Sequence, residues 1–347
     1  MTNSKRVGVL GAGSFGIAIS NLLAHNVEVL LYCRNEILAK KISSDRQHLN
    51  TQLSEKIEIT SSIEKVAENC DLIVPVVPSQ NFRSLIKQLA PFLKPYHILI
   101  HATKGLDLNG LDIDNLESNI LKRDQVFSMS EVIKQETVVL RVGCFSGPNL
   151  AKEIMAGQPT ATVIASRYDE VIELGKQVLD SRAFRVFGSY DIVGAELAGA
   201  LKNTIALGSG ILRGVGLGKN IQAMLITRGL YEMVHFGKAL GSTSEAFLGI
   251  AGIGDLIATA TSKNSRNFSF GYRIGQGETY EEVKNSLPEL AEGLRTLKIV
   301  TFLAKTHNMN VPITQTIYRV IYEGMKVEHA IELLMRYPYA VDVDFMN

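Results

Sequence analysis

The sequence has almost no net charge. Lysine and arginine together number 36 against 35 aspartates and glutamates, which leaves a formal charge of +1 over 347 residues. A chain this balanced has no overall field that would attract nucleic acid or an anionic membrane surface. We therefore expect no nucleic-acid partner, and any anionic ligand must be held by a few local side chains.

Cysteine is also scarce. Only Cys33, Cys70 and Cys144 occur, and an odd number without metal-like spacing supports neither a disulfide framework nor a zinc site. We expect a protein without a bound metal, located in a reducing cytoplasm.

Uninterrupted apolar runs of the roughly 18 residues that a bilayer span requires are missing too. Lys5, Arg6 and the run from Val7 to Ala24 imitate a secretory signal peptide, but glycines interrupt the run and no small-x-small cleavage site follows. We expect neither secretion nor a membrane span.

Apolar residues make up 46% of the chain and charged residues 20%, which is a globular composition. At roughly 150 residues per domain, the length predicts two domains.

The first half of the chain alternates strand-like and helix-like segments, the pattern of a parallel sheet covered on both faces. From Ile192 onward the periodicity is helical. We predict an α/β domain over residues 1–190 and an all-α domain over residues 191–347. Pro75 conflicts with a central place for its strand, and Leu106–Phe127 has the polar pattern of a surface excursion. Strands are predicted at Arg6–Leu10, Glu28–Tyr32, Lys56–Thr60, Asp71–Val77, Tyr96–Ala102, Val138–Phe145, Thr160–Ala165 and Phe184–Phe187.

A glycine-rich turn directly follows the first predicted strand and directly precedes the apolar segment Ile17–His25. Its sequence is Gly11-Ala12-Gly13-Ser14-Phe15-Gly16. In this context the first glycine makes the turn, the second lets a pyrophosphate approach the backbone, and the third packs helix on strand. The helix N-terminus favours the phosphates. The motif predicts a dinucleotide site in a doubly wound, Rossmann-like domain, with a tight turn lacking a ligand as the alternative.

The end of the second predicted strand bears on the choice between NAD and NADP. An NAD site usually places an acid about 20 residues after the glycines, where it binds the ribose 2′-hydroxyl. Here Cys33-Arg34-Asn35 occupies that place, and the guanidinium of Arg34 suits a 2′-phosphate. The sequence favours NADP, while Glu36 leaves NAD open and a solvated arginine is the third possibility.

Three further loops follow predicted strands at the edge where such sheets bind ligands. They contain Pro78-Ser79, Thr103-Lys104-Gly105 and Ser146-Gly147-Pro148-Asn149. Lys104 is placed to meet an anion there, although an ordinary loop lysine would have the same sequence pattern.

The helical half contains a lysine in an unusual setting. From Leu197 to Leu212 the only formally charged residue is Lys202. Such a side chain either extends to solvent or is buried for a purpose, and burial suits a lysine to proton transfer near neutral pH. The sequence leaves these two possibilities open.

A polar cluster follows further along the chain. Asp255 is followed one helical turn later, on the same face, by Thr259. Ser265-Arg266-Asn267 then offers three donors, and an arginine can bind a phosphate through two parallel hydrogen bonds. The alternatives are a helix N-cap for Asp255, a surface salt bridge for Arg266 and a simple helix interruption at Glu292-Gly293.

In this order the motifs resemble bacterial NAD(P)-dependent glycerol-3-phosphate dehydrogenase, from about Lys5 to about Tyr337. Among the departures, Asn149 stands where the family usually has serine or threonine, Phe15 where it often has tryptophan and Ala260 where it often has cysteine, and Leu106–Phe127 is longer than usual. The matching segments are GAGSFG at 11–16, VPS at 77–79, KG at 104–105, SGP at 146–148, ELAGALKN at 196–203, GDL at 254–256, SRN at 265–267 and EG at 292–293.

The resemblance implies reversible hydride transfer between NAD(P)H and dihydroxyacetone phosphate, giving sn-glycerol 3-phosphate for glycerophospholipid synthesis in a homodimeric, metal-free enzyme. It implies that Lys202 accepts or returns the proton, assisted by Asp255 and Thr259. The implied substrate contacts are Lys104, Gly147, Asn149, Lys202, Asp255, Ser265, Arg266 and Asn267. The implied cofactor contacts, taken with the glycine turn, are Gly11, Gly13, Ser14, Phe15, Gly16, Arg34, Lys104, Ala151, Arg266, Leu290 and Glu292.

Two other functions stay open at this stage. A dehydrogenase of a 3-hydroxy acid would share the glycine turn and a helical lysine, but it needs a carboxylate site and has no use for Ser265-Arg266-Asn267. A non-enzymatic dinucleotide sensor would need the first domain only and would leave Lys202 without a role.

Overall fold

The computed structural model describes residues 6–116, 120–287 and 291–337. Residue contacts divide the chain into two compact units. The first unit comprises Met1–Asp107 and Ser128–Ile192, and the second comprises Leu108–Phe127 and Val193–Asn347. The chain therefore passes between the units three times.

One eight-stranded sheet forms the centre of the first unit. Its order is β10-β9-β8-β7-β6-β1-β2-β5, and every neighbouring pair is parallel except β8 and β9. All eight predicted strands are present in it, and a separate two-stranded hairpin, β3 with β4, was not predicted. The strands are β1 Arg6–Leu10, β2 Glu28–Tyr32, β3 Gln47–His48, β4 Thr51–Gln52, β5 Ile57–Thr60, β6 Leu72–Pro75, β7 Ile98–His101, β8 Arg141–Ser146, β9 Thr160–Ser166 and β10 Phe184–Ser189.

Helices cover this sheet. The central strands β6 and β7 are buried at every residue, as a parallel sheet covered on both faces requires. Helix α1 contacts α6 and α7, whereas α4 contacts α3 and α5. The predicted doubly wound, Rossmann-like architecture is thereby confirmed. The helices are α1 Ser14–Leu23, α2 Glu36–Asp45, α3 Ile63–Asn69, α4 Ser79–Leu89, α5 Met129–Glu136, α6 Ala151–Met155 and α7 Asp169–Leu179.

Pro75 lies in a central strand after all. Strand β6 lies between β1 and β7, and Pro75 is its last residue, opposite Leu10. The carbonyl of Pro75 accepts a hydrogen bond from the amide of Ala102 at 2.9 Å, and the amide of Val76 donates to the carbonyl of Leu10 at 2.8 Å. The objection to a central position is wrong because the proline ends the strand and does not interrupt it.

The segment 108–127 also differs from its prediction. It belongs by contacts to the second unit, although the sequence placed it within the first domain as a surface excursion. The amide of Leu121 donates to the hydroxyl of Thr306 at 3.0 Å, and Asp114 forms an ion pair with Lys298. Its buried apolar side chains, which show no helical or strand periodicity, are Leu108, Ile113, Leu121 and Val126.

The second unit is built from helices, and its described residues contain no β-strand. The predicted all-α region is confirmed. No helix in the described ranges is both long enough and apolar enough to cross a bilayer. The helices are α8 Ile192–Gly214, α9 Lys219–Ala239, α10 Glu245–Leu248, a π-helical turn Ile250–Gly254, α11 Asp255–Thr261, α12 Arg266–Gly275, α13 Tyr280–Ser286, α14 Glu292–Thr306, α15 Pro312–Tyr322 and α16 Val327–Met335.

A buried carboxyl group caps helix α15 from another helix. Glu232 of α9 is only 3% exposed. It accepts hydrogen bonds from the amide and the hydroxyl of Thr314, at 3.0 and 2.9 Å, and from the amide of Ile313. Burial raises the pKa of Glu232 from 4.5 to about 7, against the opposing effect of these hydrogen bonds. The carboxyl group thus titrates near neutral pH.

This pKa predicts a pH-dependent effect of Glu232→Gln. Because the folded protein binds the proton more tightly than the unfolded chain, the stability that protonation adds is complete below the ordinary pKa and is lost as the pH rises through about 7. The glutamine variant stays neutral at every pH. The difference between its free energy of unfolding and that of wild type should therefore rise by about 3 kcal/mol from about pH 5 to about pH 9.

Denaturant unfolding of both proteins across this pH range measures the effect. Glu328→Gln is the matched control, since Glu328 is exposed in the first turn of α16. A difference between Glu232→Gln and wild type that does not vary with pH would contradict the raised pKa.

Candidate functional site

The glycine turn in the first unit has the geometry that a bound pyrophosphate requires. Gly11 adopts a positive φ of 124°, and a Cβ there would lie 2.3 Å from the carbonyl oxygen of Val76. A Cβ on Gly16 would lie 1.8 Å from the carbonyl oxygen of Gly11, so α1 packs directly on the turn. A Cβ on Gly13 would meet nothing within 4 Å. The backbone is therefore open to a ligand at the second glycine.

The start of α1 also favours an anion electrostatically. Gly13 is the N-cap of α1 and supplies no side chain to the first turn, which also contains no acidic residue. Ser14 is exposed at this terminus, where amide groups and the helix dipole favour an anion. The residues present thus fit a dinucleotide phosphate.

Two more residues predicted to contact the cofactor, Phe15 and Ala151, pack on the core of the first unit. The ring of Phe15 meets Phe145 of β8 edge to face, with 5.7 Å between centroids. Ala151 is the first residue of α6. Their contact to a cofactor stays a prediction.

The end of β2 presents an arginine and no acid. Arg34 is exposed and forms no ion pair with any described residue. Asn35 caps α2 by accepting a hydrogen bond from the amide of Leu38 at 2.9 Å. The carboxylate of Glu36 pairs with Lys40 at 2.8 Å, and that contact lowers the pKa of Glu36. Arg34 is therefore an exposed cation just after the end of β2, the place where the sequence predicts a contact to the adenosine ribose.

The three predicted loops at the strand ends meet one another. The hydroxyl of Thr103 donates to the carbonyl of Val77 at 2.7 Å, and Lys104 Nζ donates to the carbonyl of Gly147 at 2.8 Å. Asn149 Nδ2 donates to Thr162 at 3.0 Å, while its buried Oδ1 has no hydrogen-bond partner in the described part of the chain. The side chains of Lys104 and Asn149 thus lie in loops at one edge of the sheet.

A buried ion network, which the sequence did not reveal, anchors the Lys104 loop. Arg83 of α4 donates from Nε to the carboxylate of Asp107 at 2.7 Å, and it also pairs with Glu136 of α5. It donates to Gln135 at 2.9 Å as well. Because Asp107 comes shortly after Lys104, these bonds fix the loop in which the lysine lies.

In the second unit, Lys202 is buried and does not extend to solvent. It is 4% exposed, and Nζ donates to Thr259 at 2.5 Å and pairs with the carboxylate of Asp255. The hydroxyl of Thr259 lies 3.3 Å from Asp255 Oδ1. The three side chains come from α8 and α11 and form one cluster. The cluster holds an ammonium group in a fixed position, as general acid catalysis requires.

Asp255 does not serve as the N-cap of its helix. Gly254 occupies that position, and Asp255 is the first residue of α11, directly after the π-helical turn. The side chain is thus free of the capping role and faces Lys202. Short π-helical segments occur frequently at functional sites.

The triplet at the start of α12 divides into three roles. Ser265 is the N-cap, and its hydroxyl oxygen accepts a hydrogen bond from the amide of Phe268 at 3.3 Å. Arg266 is exposed as the first helical residue. Asn267 is buried, and its amide joins two other helices: Nδ2 donates to Asn203 at 2.8 Å, and Oδ1 accepts from the amide of Gly293 at 2.9 Å.

Asn203 and Gly293 therefore belong to the site framework. A Cβ on Gly293 would lie 2.7 Å from the backbone carbonyl oxygen of Asn203, so a glycine is required there. Glu292 begins α14, and the pair is a helix start and not an interruption. Asn203, next to Lys202 in sequence, was not predicted as a site residue. Leu290 lies outside the described residues.

Among the described residues, no group of three or more His, Cys, Asp or Glu side chains could hold a metal ion. The first unit contains a glycine turn that fits a dinucleotide phosphate, and the second contains the buried cluster of Lys202, Asp255 and Thr259. Together they define the class of protein as a nicotinamide-dinucleotide-dependent dehydrogenase.

Comparison with known proteins gives the family. The models for the N-terminus and the C-terminus of NAD-dependent glycerol-3-phosphate dehydrogenase match residues 6–172 and 191–332. The chain belongs to this family.

Relatives match along the whole chain. The Teredinibacter turnerae protein named glycerol-3-phosphate dehydrogenase [NAD(P)+] is 40% identical over 352 residues, covering 100% of this chain and 99% of that protein. The Pseudomonas putida protein of the same name is 36% identical, covering 100% and 98%. The crystal structure of glycerol-3-phosphate dehydrogenase from Coxiella burnetii has a TM-score of 0.85 at 30% identity, covering 96% of this chain and 99% of that one.

Proposed function

We propose that this chain reduces dihydroxyacetone phosphate reversibly to sn-glycerol 3-phosphate with NADPH or NADH. The observation that carries the proposal is the buried Lys202, paired with Asp255 and Thr259, in a chain of this family. A dinucleotide sensor would have no use for a buried, fixed ammonium group. The same cluster supports an acid–base reaction at a carbonyl group.

The first unit supplies most of the residues that would hold the coenzyme. Gly11, Gly13 and Gly16 with Ser14 would receive the pyrophosphate at the start of α1, and Arg34 would meet the adenosine ribose. Phe15 and Ala151 would line the same site, and the further proposed contacts are Lys104, Arg266, Leu290 and Glu292. When bound, the coenzyme supplies or accepts the hydride.

Lys202 would carry the proton. In the direction of reduction, its ammonium group donates a proton to the oxygen that develops negative charge at C2, and in oxidation the neutral amine removes it. Asp255 and Thr259 hold Nζ in place and stabilise its charged form. Because the cluster is buried, the ammonium meets little competition from water, which strengthens its interaction with the developing alkoxide.

The substrate phosphate would be bound by Arg266 with Ser265 and Asn267, at the start of α12. We place Asn149, Gly147 and Lys104 as further substrate contacts, because the Lys104 ammonium and the Asn149 oxygen stand at one edge of the sheet. Binding the phosphate uses a part of the substrate that does not react to position the carbon that does.

A direct assay tests the proposed function. The purified chain should oxidise NADPH in the presence of dihydroxyacetone phosphate, and it should be inactive with a 3-keto acid that carries a carboxylate in place of the phosphate. Faster turnover of the keto acid would favour the other dehydrogenase class. Coenzyme binding without turnover of either compound would favour a sensor.

Arg34 is expected to set the preference for NADPH. Arg34→Asp replaces a partner of the 2′-phosphate with a like charge, so the ratio of kcat/KM for NADPH to that for NADH should fall about tenfold or more. Lys41→Asp, which changes an exposed cation of α2, should leave the ratio unchanged. An unchanged ratio in Arg34→Asp would make Arg34 an ordinary surface residue.

Assembly and location follow as further proposals. We propose a homodimer located in the cytoplasm, with sn-glycerol 3-phosphate used for glycerophospholipids. The three buried cysteines without a disulfide support a reducing compartment. Light scattering of the purified protein measures the oligomeric state, and a monomeric mass at assay concentration would contradict the dimer.

A further inference from the structure

A second polar cluster lies behind Lys202 in the second unit, and no function accounts for it so far. Ser209 follows Lys202 on α8 by two helical turns, so both side chains lie on the same face of the helix. The hydroxyl of Ser209 donates to the carbonyl of Ala260 at 2.5 Å. Ala260 directly follows Thr259 in α11. Helix α8 therefore binds the short helix α11 at two places, through Lys202 and through Ser209.

Gln222 of α9 completes this second cluster. Its Nε2 donates to Ser209 Oγ at 2.8 Å and to the carbonyl of Ala260 at 3.2 Å. Its Oε1 accepts from Lys219 Nζ at 3.0 Å, which fixes the orientation of the amide. Ser209 and Gln222 are 0% and 2% exposed. Three helices are thus joined at one carbonyl oxygen.

That carbonyl needs partners from outside its own helix. Ala260 is the next-to-last residue of α11, and the last four carbonyls of an α-helix have no intrahelical partner. Helix α11 has only 7 residues, which is too few for a helix to be stable without tertiary contacts. Its position therefore depends on the bonds at Ala260 and on the packing around it.

We propose that Ser209 and Gln222 are positioning residues, which hold the C-terminal end of α11 so that Asp255 and Thr259 keep Lys202 Nζ in its catalytic place. This inference rests on the proposed function of Lys202. Proton transfer requires the donor within hydrogen-bond reach of the substrate oxygen, and displacement by a fraction of an ångström slows it. The phosphate contacts proposed for Arg266 lie on α12, so substrate binding should change less than turnover.

Two variants test this proposal. Gln222→Met keeps the length of the side chain but removes the amide donor, and Ser209→Ala removes the hydroxyl. We expect each to lower kcat about tenfold, with KM for dihydroxyacetone phosphate and for NADPH within about twofold of wild type. Because both residues act through the same carbonyl, the fold reduction in kcat of the double variant should be smaller than the product of the two single reductions.

A matched control lies on the same helix as Gln222. The hydroxyl of Thr227 donates to the carbonyl of Ala223 within α9, at 3.0 Å. Thr227→Val thus removes a hydroxyl whose hydrogen bond lies within α9. It should leave kcat and KM at the wild-type values.

Hydrogen exchange of the α11 amides, residues 255–261, provides a readout besides activity. Faster exchange in Gln222→Met, together with the fall in kcat at constant KM, supports the proposal. Unchanged exchange overturns it, and so does faster exchange with unchanged kcat or with kcat and KM changing in parallel. If wild type has no activity with dihydroxyacetone phosphate, the proposed function fails, and the exchange rates still decide whether Ser209 and Gln222 hold α11.

Discussion

Replacing Lys202 with methionine is expected to lower kcat about 100-fold or more, while the affinity for NADPH stays within about twofold of wild type. Methionine keeps the length of the side chain and suits a position that is 4% exposed. It removes the ammonium group that the proposed mechanism uses as the proton donor. Steady-state kinetics and coenzyme titration measure the two quantities separately.

A second variant is needed to separate a loss of stability from a loss of catalysis in Lys202→Met. Methionine leaves the buried carboxylate of Asp255 without its cation, and breaking a buried ion pair costs about 3–5 kcal/mol. Lys202→Arg keeps the positive charge but does not release a proton near neutral pH. It should therefore remain folded and still lose kcat about 100-fold. Turnover near the wild-type rate in either variant would remove Lys202 from the mechanism.

Arg266→Ala is expected to lower kcat/KM for dihydroxyacetone phosphate by about 30- to 1000-fold. A guanidinium that binds a phosphate through two hydrogen bonds in a partly closed site contributes on the order of 2–4 kcal/mol. The chain has a net charge of only +1, so no general field replaces the lost contact. Initial rates at low substrate concentration give kcat/KM directly.

The substrate without its phosphate separates the possible causes of such a loss. With unphosphorylated dihydroxyacetone, wild type should be slow, and Arg266→Ala should cost little more because the partner of the arginine is already absent. Arg319→Ala, which removes an exposed arginine of α15, should change neither substrate. An equal loss on both substrates would mean that Arg266 supports the coenzyme or the fold.

The strands could be predicted because most are short, nearly continuous apolar runs that a covered parallel sheet buries completely. The antiparallel pairing of β8 with β9 could not be predicted, because an apolar run has the same pattern whichever direction its strand takes in the sheet. The hairpin of β3 and β4 has only 2 residues in each strand, too short for periodicity to show. The segment 108–127 was placed in the first domain because its few buried residues are irregularly spaced and do not indicate the helices of the second unit on which it packs.

In the candidate site, too, some residues could be predicted from local sequence patterns and others only from the folded structure. Asp255 and Thr259 are one helical turn apart and Lys202 is isolated in an apolar helix, so local patterns singled out all three. The bonds from Asn267 to Asn203 and to Gly293 join residues far apart in sequence. The pair of Ser209 with Gln222 also depends on how α8, α9 and α11 pack. Polar contacts between helices have no local period, and only the folded structure reveals them.

Transfer of an isotopic label from the coenzyme to the product shows whether this chain catalyses the proposed hydride transfer. NADPH carrying deuterium at C4 of the nicotinamide, on each face in turn, is incubated with the wild-type protein and dihydroxyacetone phosphate, and the product is examined by NMR. If the proposed function is correct, the product is sn-glycerol 3-phosphate with deuterium at C2 from one of the two labelled coenzymes and hydrogen at C2 from the other. Glycerol phosphate without deuterium at C2 from either coenzyme, or no product at all, would contradict it.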